Sequence, residues 1–291
     1  MSKDLDFKRD KDIARDFLPN FADANGEPKY MKTLVLRLNK CFALDELRIC
    51  FSLDKEFSQA IDEWIDVAIT KRVPKLELNL SSPHGYFGPK IKLLVLNVPH
   101  LVELSYKGGI AECLHDFLNQ VSCYLPQLRA LTWSFAARLM QILEFGAYPK
   151  LVKLKELVLN ILIGRDDESL LGYVSLIEAS PHLERCVLKL EWETHPTING
   201  GEARSSVKCS HKYLKVVEMA GYYGGTSDFA LAMYFIENAV ALDKVVIDPC
   251  CQYSHWIRSP ESTKCDELAG RSRACRQFQG KVPMGVELVL L

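Results

Sequence analysis

The sequence predicts an α/β fold assembled from a repeated strand–turn–helix unit, and three observations carry that prediction. A short phrase of the type apolar–any–apolar returns along most of the chain at an interval of roughly 26–31 residues, with a longer last step. An apolar residue stands three positions before the phrase in successive copies. Between phrases, apolar residues recur at three- and four-residue steps, the period of a helix buried on one side. A unit with one apolar sheet face and one apolar helix stripe cannot bury both alone, so neighbouring units must stack. The fold class expected is therefore a leucine-rich-repeat solenoid, a horseshoe with a parallel concave β-sheet and outer helices.

The strand phrases come in order. Leu47-Arg48-Ile49 precedes Leu76-Glu77-Leu78, Leu104-Ser105-Tyr106, Leu131-Thr132-Trp133 and Leu157-Val158-Leu159. Cys186-Val187-Leu188, Val217-Glu218-Met219 and Val245-Val246-Ile247 follow, and Leu288-Val289-Leu290 closes the set. Alternation with period two puts the outer residues of each phrase on one face. Leu101, Leu128, Leu154, Leu183, Leu214 and Leu242 are the apolar residues that turn the chain into the strands, and Pro99, Pro126 and Pro181 stop a preceding helix from running on. Helical stripes are Phe57, Ile61, Trp64, Ile65, Ala68 and Ile69, then Leu170, Leu171, Val174 and Ile177, then Phe229, Met233, Phe235 and Ile236. Thr226-Ser227-Asp228 supplies N-cap residue types for the third. Ser262 to Gln279 reads as an amphipathic helix with a basic outer face that caps the open end of the solenoid. A doubly wound α/β sheet also alternates strands and helices. It does not require a recurring strand phrase, and no glycine-rich turn follows the first strand here.

Composition narrows the function. With 48% hydrophobic residues, 25% charged residues and a net charge of -1, the chain lacks the basic excess of a phosphate-gripping protein, so no nucleic-acid partner is expected. The charged opening Met1-Ser2-Lys3-Asp4-Leu5-Asp6 has no secretory h-region, and no apolar run reaches the roughly 20 residues of a membrane helix, so no membrane partner is expected either. The ten cysteines are scattered, with Cys41, Cys50, Cys113, Cys123, Cys186 and Cys209 mostly inside apolar runs, and read as reduced, buried thiols. A reducing compartment, cytoplasmic or nuclear, is the expectation.

Some residues carry a resemblance. Ile61-Asp62-Glu63-Trp64 through Ala68, Lys71-Arg72-Val73 and the stretch LELNL resemble the start of the repeat region in plant F-box/leucine-rich-repeat proteins. Cys209 through Met219, Gly221-Tyr222-Tyr223-Gly224, Tyr234 through Ala239 and Leu242 through Asp248 are similar to that family's FBD-type C-terminal region. The resemblance spans about residues 30–291. It implies a leucine-rich-repeat solenoid that recognises substrates for a ubiquitin ligase, with a Skp-type adaptor and a cullin as partners. The adaptor docks on an N-terminal F-box, whose Leu-Pro opening and Trp-Arg…Leu-Trp close do not occur in this sequence; Leu5-Asp6-Phe7 is similar to the segment downstream of it. The domain reading that follows is a charged tail or remnant linker at 1–28, repeats at 29–208, and FBD-like repeats with the capping helix at 209–291. A small-molecule or hormone-sensing repeat receptor and a truncated non-functional paralogue are the alternatives.

Catalytic and metal chemistry find little footing. Gly221 through Ser227 is a glycine-rich turn before a helix but lacks a Gly-Lys-Ser/Thr ending, so it reads as a plain strand-to-helix turn. His182, Glu184 and Cys186 have ligand types and, by alternation, share a face, yet the repeat register makes Cys186 a core position. Vicinal Cys250-Cys251 near His255 lacks a second pair. Cys265 and Cys275 lie near Lys264, Arg271, Arg273 and Arg276, which can depress a thiol pKa, but belong to the terminal helix. No GxSxG elbow is present. The expectation is no enzyme, no cofactor and no metal.

The partner surface expected instead is the concave sheet. Residues between the buried apolar positions face outward: Glu77, Asn79, Glu103, Ser105, Thr132, Glu156, Asn160, Arg185, Lys189, Glu218, Lys244 and Asp248. Eight strands at about 4.8 Å spacing, each exposing about 17 Å, give roughly 650 Å². That approaches the ~800 Å² per partner of an ordinary protein interface. Trp192 to Ser210 is the longest apparent connection and a second recognition candidate.

Overall fold

Every strand phrase named above lies in a parallel β-strand. The computed structural model describes residues 4–6, 46–50, 65–66, 68–79, 100–107, 127–135, 148–163, 170–192, 210–250 and 260–291. The strands are β1 (Asp4–Asp6), β2 (Glu46–Cys50), β3 (Lys75–Asn79), β4 (Glu103–Lys107), β5 (Ala130–Phe135), β6 (Glu156–Ile163), β7 (Arg185–Trp192), β8 (Val216–Ala220), β9 (Lys244–Asp248) and β10 (Glu287–Leu290). The described helices are α1 (Val174–Glu178), entered through a 3-10 turn at Leu170–Tyr173, α2 (Thr226–Asn238) and α3 (Pro260–Phe278). The chain divides into two units, Met1–Leu128 and Arg129–Leu291. The fold is an α/β leucine-rich-repeat solenoid.

In the first unit β1, β2, β3 and β4 pair in chain order, all parallel. Leu76 and Leu78 of β3 and Leu104 and Tyr106 of β4 are buried, while the residues between them are half-buried. Residues 65, 66 and 68–70 are helical and bury Ile65 and Ala68. Phe57, Ile61 and Trp64 of that stripe lie outside the described residues. Asp4–Asp6, expected in a solvated tail, instead add a strand to β2 in the register Leu5↔Leu47. Edge pairing satisfies backbone groups whatever the side-chain charge, so a charged segment can still join a sheet. The remainder of 1–28 lies outside the described residues.

In the second unit β5 to β10 pair in chain order, again parallel. Leu154, Leu183, Leu214 and Leu242 are all buried, as are Leu101 and Leu128 in the first unit. The residue after each turn leucine extends the ladder. Lys155 N–H donates to Arg129 O, Glu184 N–H to Lys155 O, Lys215 N–H to Glu184 O and Asp243 N–H to Lys215 O, at 2.8–2.9 Å. One strand face meets the helices: Leu157, Leu159, Ile161 and Ile163 of β6 are at most 1% exposed. Leu170, Val174 and Ile177 are buried, as are Phe235 and Ile236 of α2, while Leu171, Phe229 and Met233 of the expected stripes are half-buried.

Two expectations are corrected here. The terminal helix does not cap the end of the solenoid. α3 lies in the chain between β9 and β10, and β10 is the last strand. Phe278 of α3 packs 5.7 Å from the rings of both Tyr222 and Phe229, which ties the helix to the outer layer. The connection read as starting at Trp192 also starts later. β7 runs through Trp192, whose indole N–H donates to Gly221 O at 2.9 Å. Residues 193–209 lie outside the described residues.

Candidate functional site

Parallel register turns the alternation of each strand into rows across the sheet. In the second unit the open face, opposite the helices, carries Glu156, Arg185, Val216, Lys244 and Glu287 in one row. The next row is Thr132, Val158, Val187, Glu218, Val246 and Val289. The third is Ser134, Asn160, Lys189, Ala220 and Asp248. Every second-unit residue expected on the partner surface is on these rows and is half-buried or exposed. In the first unit the rows are Glu46, Lys75, Glu103 and Arg48, Glu77, Ser105, with Asn79 beside Lys107 in the next.

Several charges on the face are paired. Arg185 stands between two carboxylates, 2.6 Å from Glu156 and 2.9 Å from Glu218. Its hydrogen bond to Glu218, then the Glu156 charge, hold the guanidinium protonated beyond its ordinary range. Lys244 lies 3.1 Å from Glu287. In the first unit Arg48 contacts Glu46 at 2.7 Å and Glu77 at 3.3 Å, and Lys75 contacts Glu103 at 2.9 Å. These pairs are partly exposed, so each contributes at most about 1 kcal/mol and leaves its residues open to exchange partners. Asn160 donates to Ser134 Oγ at 2.6 Å, and its buried Oδ1 accepts no hydrogen bond from the described residues.

The middle row contains residues that sequence reasoning missed. Val158, Val187, Val246 and Val289 form an apolar line interrupted by Glu218, and Val187 is only 6% exposed. The selection by polarity passed over them. The signal was present in the runs Leu157-Val158-Leu159 and Val245-Val246-Ile247. A strand apolar on both faces is one whose outer face is suited to being covered.

The remaining sequence candidates are dispersed. His182, Glu184 and Cys186 do not share a face, because β7 begins at Arg185 and the preceding residues are in a turn. Cys186 is fully buried, and burial pushes its thiol pKa up to about 12. Glu184 binds Lys155 at 2.6 Å, which holds its carboxyl below the ordinary range with help from Lys215. His182 Nδ1 lies 2.7 Å from Val152 O, and its ring is 5.1 Å from that of Tyr213. Cys265 and Cys275 are exposed on α3, and Cys250 is exposed after β9; Cys251 and His255 lie outside the described residues. No group of three or more metal-ligand side chains occurs among the described residues.

The glycine turn is occupied by the protein's own carboxylate. Asp228, in the first turn of α2, accepts N–H bonds from Tyr223 and Gly224 at 2.8 Å and from Phe229 at 3.0 Å. The helix N-cap is Gly225, without a side-chain capping bond, so the cap expected from Thr226-Ser227-Asp228 is replaced by this backward reach. Arg273 Nε of α3 donates to Tyr223 O at 2.6 Å, and Gln277 Nε2 donates to Gly224 O at 3.1 Å. With its amides taken and a carboxylate in place, the turn is no phosphate cradle.

The profile of the At1g61320/AtMIF1 leucine-rich-repeat (LRR) domain, a plant family, matches residues 86–291. The chain belongs to that family. The At1g61320/AtMIF1 LRR match takes in β4 to β10 and thus the whole open face of the second unit. It makes the chain a plant leucine-rich-repeat protein, of an architecture that in general binds proteins and does no catalysis. No curated protein and no solved structure matches the chain significantly. No helix among the described residues is long and apolar enough to cross a membrane.

Proposed function

We propose that this LRR protein recognises a target protein on the open face of its sheet, as the substrate-binding part of an F-box-type receptor does. The valine row Val158–Val187–Val246–Val289, flanked by the Glu156–Arg185–Glu218 ion pairs, carries the reading. An apolar centre with a charged rim is the usual anatomy of a protein interface. The second-unit polar residues named from sequence, among them Thr132, Glu156, Arg185, Lys189, Lys244 and Asp248, are the rim of that surface. The FBD-like stretch from Cys209 to Asp248 supports this reading, with residues 209–291 as the C-terminal part and 29–208 as the repeats before it. The resemblance also implies a Skp-type adaptor and its cullin as partners, and that half of the reading has its own test.

Site-specific photocrosslinking tests the surface. A photoreactive residue at position 158 or 246 is expected to trap one discrete partner in plant extract, and Val187→Glu elsewhere on the face to abolish the adduct. The same residue at position 268, on α3, is expected to trap none. Adducts at position 268 alone would refute the surface. Co-purification with a Skp-type adaptor is that test: a stable complex would make the chain a ligase receptor, and no complex would leave recognition alone as its role.

A further inference from the structure

The turns that lead into the strands of the second unit stack along one edge, and that edge exposes large apolar side chains to solvent. Of the six large hydrophobic residues exposed among those described, Val152, Tyr213, Val240 and Met284 lie on these turns, 39%, 48%, 72% and fully exposed. Val152, Tyr213 and Val240 stand one or two residues before the turn leucines Leu154, Leu214 and Leu242, and Met284 stands just before β10. Val152 and Tyr213 are joined through His182, whose Nδ1 meets Val152 O and whose ring lies against Tyr213. The result is a ridge across three successive repeats, separate from the open face. Its flanks are basic: Lys150, Lys153, Lys155, Lys212 and Lys215 are all exposed on the same turns. Among the described residues of these turns the carboxylates are Glu184 and Asp243, and Glu184 is engaged by Lys155 at 2.6 Å.

We propose that this edge docks an extended, acidic segment of a partner protein that carries aliphatic side chains. Three turns at about 4.8 Å per strand span roughly 10–15 Å, the length of three or four extended residues. Side chains of such a segment can alternate between the Val152–His182–Tyr213 ridge and the lysines beside it. Exposed apolar surface rimmed by one sign of charge is what a partner of opposite sign recognises. A flat anionic membrane fits less well, because Glu184 and Asp243 stand among the lysines and a peptide can thread between them. The edge is independent of the open face, so this second site does not rest on the proposed function.

Fluorescence anisotropy with the full chain tests it. The probes are a labelled peptide alternating glutamate and leucine, and its lysine–leucine counterpart. The glutamate peptide is expected to bind and the lysine peptide not. Affinity is expected to fall about ten-fold with K153E/K212E, about five-fold with Tyr213→Ser, and to weaken between about 50 and 300 mM salt in the unaltered protein. Arg185→Glu on the open face is expected to leave it unchanged. Equal binding of both peptides, indifference to K153E/K212E and salt, or loss only with Arg185→Glu would overturn the proposal. So would binding to vesicles of phosphatidylcholine and phosphatidylserine with no binding of the peptide.

Discussion

At the scale of single residues, the strongest constraints gather where β8 hands over to α2. Gly221 has φ +76°, and a Cβ there would sit 2.0 Å from the carbonyl oxygen of Leu190. Both the left-handed backbone and the neighbouring strand therefore demand glycine. Gly221→Ala is expected to destabilise the protein by more than about 2 kcal/mol, measured as a shift in urea midpoint. Asp228 is a different kind of constraint. Burial raises its pKa from 3.8 to about 6, although its backbone hydrogen bonds pull the other way. The folded state thus holds the proton more tightly than the unfolded chain. Its favourable contribution is full below about pH 4 and is lost as pH rises through 6, by roughly 2–3 kcal/mol. His211 opposes this slope: burial lowers its pKa, so its contribution is present above the ordinary histidine range and lost as pH falls through the lowered value. Comparing denaturation of the unaltered protein and Asp228→Asn from pH 4 to 7 isolates the aspartate. The variant is expected to lack that downward slope, and an identical pH profile would refute the assignment.

Elements follow from residues through register. Leu157 is fully buried in the middle of β6, paired with Leu131 and Cys186 on either side. Leu157→Ala is expected to cost about 2–5 kcal/mol by leaving a cavity that flanking strands cannot collapse into. Arg185, one residue from Cys186 but on the open face, should behave oppositely. Arg185→Ala breaks two ion pairs and is expected to change stability by less than about 1 kcal/mol in the same titration, because these groups remain partly hydrated. This contrast between adjacent residues is the energetic signature of alternation. It also explains which elements were legible in the sequence. β2 to β10 were, because burying one face forces a period of two on Leu, Val and Ile. β1 was not, since Asp4–Asp6 joins by backbone pairing alone. The placement of α3 was not either: Gly270 lets it approach Tyr222 O and Pro249 so closely that a Cβ would meet them at 2.9 and 3.1 Å. Sequence showed an amphipathic helix there but not what its apolar side would meet.

For the whole molecule, stacking makes stability a sum of neighbouring contacts. Residues Arg129–Leu291 contain six paired strands and their own buried core. Expressed alone, this segment is expected to unfold in one cooperative transition by circular dichroism; a broad, non-cooperative melt would show that the segment needs residues 1–128. The repeat period, the strand faces and the absence of familiar catalytic motifs could be read from sequence, because each depends on local spacing. The polar residues of the candidate partner face could be named the same way. Its valine row could not be assembled that way: alternation alone turns Val158 and Val187 outward, but that they stand in one line with Val246 and Val289 is decided by strand register. Nor could the ridge of Val152, His182 and Tyr213, whose members lie about thirty residues apart in sequence and meet only when the turns stack. Local chemistry thus settled what each repeat is, and only the stacking of repeats settled which side chains stand together, since that proximity is a property of the parallel ladder and not of any segment within it.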